Sequence, residues 1–172
     1  MKNILTKTCL FIILIIYSFT AYTQTNLTDS LKIDSLKKVL QKVKEDTNKV
    51  NTLNELSSAI QQVSDDSSSL QYAKKALLLS EKLNFKKGEA DANYNIGGIK
   101  FSNDYFNQSI YPEVYKNYFD ALQLYEELGD KEGVAQCYFG IGQLKFNQGN
   151  YPDALKNFYS ALKFYEQLGE KN

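Results

Sequence analysis

An internal repeat constrains this chain more than any other feature of its sequence. The stretches 111–129 and 151–169 are identical at ten of nineteen positions, including an early proline, an Ala-Leu pair and a terminal Leu-Gly. The segments 88–101 and 133–146 form a second similar pair. A unit of this length cannot bury its own apolar face, so it must stack on its neighbours. The repeat therefore predicts an array of units rather than a domain around one central core.

The spacing of apolar residues predicts that the units are helical hairpins. Pro112 and Pro152, the only prolines, stand where a helix would begin, and there a missing amide hydrogen costs nothing. We predict an all-α fold, an α-α superhelix or solenoid of antiparallel helix-turn-helix repeats, with about three repeats after an N-terminal helix. The repeats cover residues 46–87, 88–132 and 133–172. In the first, helices are predicted at 47–63 and 70–83.

Residues 24–45 are predicted to hold a leader amphipathic helix with a narrow apolar stripe. A helix that covers the end of the array is favoured over a coiled-coil dimerisation segment, because coiled coils sustain their heptads for longer.

Small residues at equivalent positions predict close approach of the paired helices. Gly97 and Gly142 lie in the first helices of two hairpins, and Ala76, Ala121 and Ala161 lie in the second helices. A glycine inside a helix costs on the order of 1 kcal/mol relative to alanine. Two glycines at matching positions therefore indicate that contact geometry outweighs helix propensity.

Residues 1–23 have the three parts of a secretory signal peptide: a short basic start, a brief apolar core and small residues near a cleavage point at about Gln24. The alternative is an uncleaved anchor, but the apolar run is shorter than the roughly 20 residues that span a bilayer. We expect an exported protein, periplasmic or associated with the cell envelope. An N-terminally membrane-anchored protein is the alternative.

Composition argues against several classes of function. The twenty basic residues, all lysines, balance twenty acidic residues, which argues against nucleic acid as a partner. The chain has no histidine and only two cysteines, Cys9 and Cys137, so neither an imidazole-based catalytic site nor a disulfide framework is indicated. We expect no enzyme activity, no catalytic residues, no metal and no cofactor. Cys137 is expected to be a small buried apolar residue.

The third unit carries a recognisable order of residues: Ile141, Gly142, the turn 149–151, Ala154, Phe158 and Ala161. This order resembles the tetratricopeptide repeat, a helix-turn-helix unit, in a variant with longer helices. The resemblance covers about residues 46–172. Behind a signal peptide, such an array resembles the exported N-terminal repeat regions of sensor histidine kinases and regulators of Bacteroidota type.

The resemblance implies that the first helices of the hairpins line a groove for an extended peptide or a partner helix. Carried onto this chain, the groove residues are mostly amides and aromatics: Asn54, Asp91, Tyr94, Asn95, Phe101, Gln136, Phe139, Gln143 and Phe146. For the aromatic members, packing between repeats is favoured over ligand contact. For Lys100 and Lys145, packed stems with solvated ammonium groups are favoured over an anion-binding pair.

We therefore expect a non-catalytic exported domain that binds a protein or peptide. The alternative is the periplasmic sensor input of a membrane histidine kinase or transcriptional regulator, of which this chain is a fragment. A membrane tether is expected only in that case or if the signal is uncleaved. The reading frame after Asn172 would distinguish the two roles. Self-association is also expected, through apolar residues such as Leu162 and Phe164 on an uncapped last repeat.

Overall fold

The computed structural model describes residues 28–63, 65–104 and 107–169. Within these residues the protein has seven α-helices, one short 3-10 turn and no strand. The helices are α1 at residues 28–40, α2 (Thr47–Gln62), α3 (Asp66–Leu83), α4 (Lys86–Asn103), α5 (Tyr111–Leu128), α6 (Lys131–Asn147) and α7 (Tyr151–Gly169). The 3-10 turn Gln108–Ile110 leads into α5. The predicted signal peptide lies outside the described residues.

Consecutive helices pack against each other, so the array is built from the hairpins α2–α3, α4–α5 and α6–α7. We call these units 1, 2 and 3. The first helices of the units also touch, α2 against α4 and α4 against α6. They therefore share one side of the array, which we call the first-helix face. The prediction of an all-α solenoid of stacked helical hairpins is confirmed.

Aspartates before three helices cap them. Asp46 Oδ1 accepts from the Asn48 amide at 2.9 Å at the start of α2, and Asp65 Oδ1 accepts from the Ser68 amide at 3.1 Å at the start of α3. Asp130 does the same for α6. Each bond satisfies an amide that has no partner inside its helix.

The second helix of unit 1 begins at Asp66, earlier than the predicted Leu70. Ser69 explains the difference, because it is buried and its hydroxyl donates to the Ser57 carbonyl at 2.7 Å. The Ser57 hydroxyl in turn donates to the Ser69 carbonyl at 2.9 Å. Ser69, which suggests a turn in the sequence, is instead a helical residue that is hydrogen-bonded to Ser57 of α2.

The glycines at matching positions are contact sites for aromatic rings of the same hairpin. A Cβ added at Gly97 would lie 3.0 Å from the Tyr118 ring, and one added at Gly142 would lie 2.6 Å from Cε1 of Phe158. Real Cβ atoms essentially never come closer than 3.0 Å to another side chain. The Phe158 ring therefore leaves no room for a Cβ at position 142, and at position 97 a Cβ would fit only if the Tyr118 ring shifted slightly.

The leader helix α1 packs against unit 1. Ile33 is buried with Leu56 and Ile60 of α2, and Leu36 and Leu40 pack partly on the same cluster.

The outer face of α7 differs from the matching face of α5. In α5, Leu122 and Tyr125 are 6% and 2% exposed because they pack with residues of α6. Their equivalents Leu162 and Tyr165 are 50% and 41% exposed. Among the described residues, none covers this apolar face of α7 as α6 covers that of α5.

Candidate functional site

An open cavity of about 590 Å³ lies on the first-helix face, and we call it the first-helix cavity. Its wall comes from the first helices of all three units, together with Phe85 from the linker before α4 and Tyr125 from α5. Unit 1 contributes Asn51, Asn54, Glu55 and Ser58; unit 2 contributes Lys87, Asp91, Tyr94 and Asn95; unit 3 contributes Gln136. Amides, aromatic rings and charged groups thus meet in one cavity.

Five of the groove residues expected from the sequence line this cavity. They are Asn54, Asp91, Tyr94, Asn95 and Gln136. Tyr94 also contacts the Tyr118 ring with centroids 5.6 Å apart, so only part of its surface faces the cavity.

The other four expected groove residues lie outside the cavity. Phe101 is buried against Tyr111, with ring centroids 6.3 Å apart. Gln143 is exposed. Phe139 and Phe146 are partly exposed and contact rings of their own second helix, Phe158 at 5.6 Å and Tyr151 at 5.4 Å. These three ring contacts lie within a hairpin, whereas the sequence analysis favoured packing between repeats.

Asp91 is the centre of a charged network in the cavity wall. Tyr125 donates its hydroxyl to Asp91 Oδ1 at 2.7 Å, and Lys87 Nζ lies 2.7 Å from the same oxygen. Burial raises the pKa of Tyr125, and the negative charge of Asp91 raises it further. The phenol therefore stays a hydrogen-bond donor across the whole physiological range of pH.

Lys87 also connects unit 2 to unit 3. Its ammonium lies 2.9 Å from Asp130 Oδ2, and Asp130 Oδ1 accepts from the Gly133 amide at 3.0 Å at the start of α6. Burial acts against the charged form of Asp130, but the Gly133 amide and the Lys87 ammonium hold its pKa below the usual value. Lys87 lies over the Tyr125 ring as well, 4.7 Å from its centroid.

Four residues that line the cavity were not predicted from the sequence: Glu55, Phe85, Lys87 and Tyr125. The spacing of Lys87 and Asp91, four residues apart on one helix, could have indicated the ion pair. Tyr125 lies on a second helix and reaches the first-helix face only because Gly133 leaves room for its ring. No local pattern in the sequence carries that information.

Asparagine side chains link the first helices of units 1 and 2. Asn54 Nδ2 donates to the Gly88 carbonyl at 2.9 Å, and Asn95 Nδ2 donates to the Asn54 carbonyl at 3.2 Å. Asn54 is only 5% exposed, and its Oδ1 is buried with no hydrogen-bond partner among the described residues. A buried acceptor of this kind costs about 1–3 kcal/mol until a donor reaches it.

Cys137 lies beneath the first-helix face on α6 and is fully buried. Burial raises the pKa of its thiol to about 12. A thiol that stays protonated at neutral pH is not a nucleophile.

Lys100 and Lys145 do not form a joint site. Lys100 makes an ion pair with Glu113, and Lys145 lies over the Tyr115 ring, 5.3 Å from its centroid. Each lysine thus interacts with a residue of α5, which leaves no pair of ammonium groups aimed at a shared anion.

The part of the chain that the structure describes contains no group of three or more cysteine, aspartate and glutamate side chains placed to hold a metal ion. Among the same residues, no helix has the length and apolarity needed to cross a membrane. No protein-family model matches the chain, and no curated protein matches it at a significant level.

Proposed function

We propose that this chain is an exported, non-catalytic helical-repeat domain of the tetratricopeptide type that binds a protein or peptide ligand. The first-helix cavity is its binding site. The observation that carries the proposal is that side chains from three successive first helices, represented by Asn51, Asp91 and Gln136, line one continuous cavity.

The chemistry of the cavity suits a peptide. Amide side chains such as Asn51, Asn95 and Gln136 can both donate to and accept from a peptide backbone. Tyr94 and Phe85 supply apolar contact area in the same cavity. Amides that pair with the backbone, together with aromatic rings for side chains, are what an extended peptide requires.

The non-catalytic part of the proposal rests on the residues available for chemistry. The sequence has no histidine, and the Cys137 thiol is buried and protonated. Tyr125 donates its hydroxyl to Asp91, and burial raises its pKa, so it does not act as a base. None of these groups meets the geometric requirement of a nucleophile beside a general base.

A capture experiment with matched variants tests the proposal. The tagged protein is incubated with periplasmic extract, and captured proteins are compared between the wild type and the variants Asn51→Ala and Tyr94→Ala. Phe119→Ala is the control, because Phe119 is an exposed ring on α5 that stacks on Tyr115 outside the cavity. We expect a partner that is lost with both cavity variants and kept with the control. Capture that is unchanged by the cavity variants would contradict the proposal.

Export is tested separately. The signal peptide lies outside the described residues, so its support is the sequence pattern alone. We expect N-terminal sequencing of the protein recovered from the cell envelope to begin near Gln24. An intact N-terminus in the membrane fraction would favour the anchored alternative.

A further inference from the structure

The hydrogen-bond donors on the floor of the first-helix cavity are engaged within the protein. Lys87 and Tyr125 both donate to Asp91 Oδ1. Asn54 Nδ2 donates to the Gly88 carbonyl, and Asn95 Nδ2 donates to the Asn54 carbonyl. Each of these four side chains therefore already uses at least one N–H or O–H within the protein.

The acceptors of the same cavity are open. Both donors to Asp91 use Oδ1, so Oδ2 has no hydrogen-bond partner among the described residues, and the side chain is 28% exposed. The Glu55 carboxylate is exposed and forms no ion pair within the described part of the chain.

The net charge of the cavity lining is negative, which favours a positively charged ligand. Its lining carries two carboxylates, Glu55 and Asp91, and one ammonium, Lys87, which is a formal net charge of −1. Asp130, the other ion-pair partner of Lys87, adds a second unit of negative charge nearby. Tyr94 also lines the cavity and adds apolar contact area for the stem of a long side chain. A positively charged group with several N–H donors complements all of these features.

We infer that the first-helix cavity takes a positively charged side chain of the bound peptide, a lysine or arginine, with Glu55 and Asp91 as its counter-charges. This inference rests on the proposed function and specifies the chemistry of its ligand. The ammonium or guanidinium donates to Asp91 Oδ2 and to the Glu55 carboxylate. An acidic peptide binds more weakly, because it brings negative charge to a cavity whose lining has a net negative charge.

Binding of four synthetic peptides to the full chain tests this inference. The peptides are alanine-glycine sequences of equal length with the same neutral dye, and they differ only in a central lysine, arginine, Nζ-acetyl-lysine or glutamate. Affinity is measured by fluorescence anisotropy. We expect the lysine or the arginine peptide to bind at least about tenfold more tightly than the acetyl-lysine and glutamate peptides, since charge-assisted hydrogen bonds are lost in the latter.

Two charge-neutralising variants test whether the preference for a cationic peptide comes from the first-helix cavity. Glu55→Gln should weaken binding of the cationic peptide about tenfold or more, and its fold is not at risk because the carboxylate is exposed and unpaired. Glu89→Gln is the control, since Glu89 lies on α4 but lines a separate cavity beside α5, and it should leave the affinity unchanged.

Three results would overturn the inference. Equal affinity for all four peptides would remove the preference for a cation but would leave peptide binding, and so the proposed function, in place. The protein could also bind none of the peptides and still lose its captured partner when the cavity is mutated. That result would contradict the preference for a cation but not the proposed function. Equal weakening by Glu55→Gln and Glu89→Gln would show a general charge effect rather than a site.

Discussion

The ring of Tyr125 lies directly against the backbone of Gly133: a Cβ added to this glycine would be 2.5 Å from Cγ and Cδ1 of the ring. Tyr125 belongs to unit 2, and Gly133 lies in the first turn of α6 in unit 3. The hydroxyl of the same tyrosine donates to Asp91 on the first-helix face. One side chain therefore holds the junction between two units and shapes the cavity wall.

This contact predicts that Gly133→Ala destabilises the protein. Overpacking of a tight contact costs typically about 1–3 kcal/mol, and the Tyr125 ring cannot easily move because its hydroxyl is fixed. The free energy of unfolding is measured by urea denaturation. Gly98→Ala is the control, because its added Cβ would lie 3.7 Å from the nearest atoms and alanine favours the helix by about 1 kcal/mol. Equal stability of the two variants would contradict the prediction.

The hydrogen bond from Tyr125 to Asp91 predicts the effect of removing one hydroxyl. We expect Tyr125→Phe to lower the free energy of unfolding by about 1.5–3 kcal/mol, because a bond to a charged partner is lost. Tyr159→Phe, at an exposed tyrosine of α7, should change it by no more than about 0.5 kcal/mol. A Tyr125→Phe variant as stable as the wild type would show that the bond contributes nothing.

Burial of Cys137 predicts an unreactive thiol. With its pKa at about 12 instead of the usual value, its thiolate fraction at pH 8 is lower by about a thousandfold. In a Cys9→Ser chain, labelling by Ellman's reagent should be slow in the native protein and fast in urea. A variant that also carries Gln148→Cys, at an exposed position after α6, should react rapidly at that one added thiol. Rapid labelling of Cys137 in the native state would contradict its burial.

The buried tyrosines predict loss of stability at alkaline pH. Burial raises the pKa of Tyr94 to about 12, whereas an unfolded tyrosine titrates near pH 10. The unfolded state therefore releases its proton first, so this stabilisation is complete below about pH 10 and is lost as the pH rises towards 12.

The shift of Tyr94 corresponds to about 2–3 kcal/mol. Urea denaturation at intervals from pH 9 to 12, with tyrosinate absorbance as a second signal, would measure the loss. We expect Tyr94→Phe to lose less stability over this interval than the wild type. Identical pH profiles would contradict the assignment to Tyr94.

The uncovered face of α7 predicts self-association. Leu162 and Tyr165 are exposed, whereas their equivalents on α5 are buried by α6. We expect a concentration-dependent increase in mass in analytical ultracentrifugation, reduced by Leu162→Glu. Leu78→Glu, at an exposed leucine of α3, is the control and should leave the association unchanged. A monomer at all concentrations would contradict this prediction.

The fold could be predicted from the sequence because its signals are local. Pro112 and Pro152 are the second residues of α5 and α7, and the small residues at Gly97 and Gly142 lie where the facing rings require them. The start of α3 was predicted too late. Ser69 suggests a turn by composition, but in the protein its hydroxyl pairs with unit 1's first helix.

The candidate site could be predicted only in part, because a groove assigned by helical position does not say which way an aromatic side chain turns. Tyr94 reaches the cavity, but Phe139 turns to Phe158 on its own hairpin. Tyr125 comes from the opposite layer and enters the site through a contact with Gly133. A contact between a second helix and the first-helix face depends on three-dimensional packing, so no residue spacing in the sequence predicts it.

The connection between the two helices of unit 2 can accept added residues. Its two helices are joined by a longer connection than those of unit 3, ending in the turn Gln108–Ile110, yet Gly97 meets Tyr118 much as Gly142 meets Phe158. Length added between paired helices therefore leaves their register intact. The exposed residue Asn107 is accordingly a place where a reporter tag could be inserted to follow the protein in cells without disturbing the first-helix cavity.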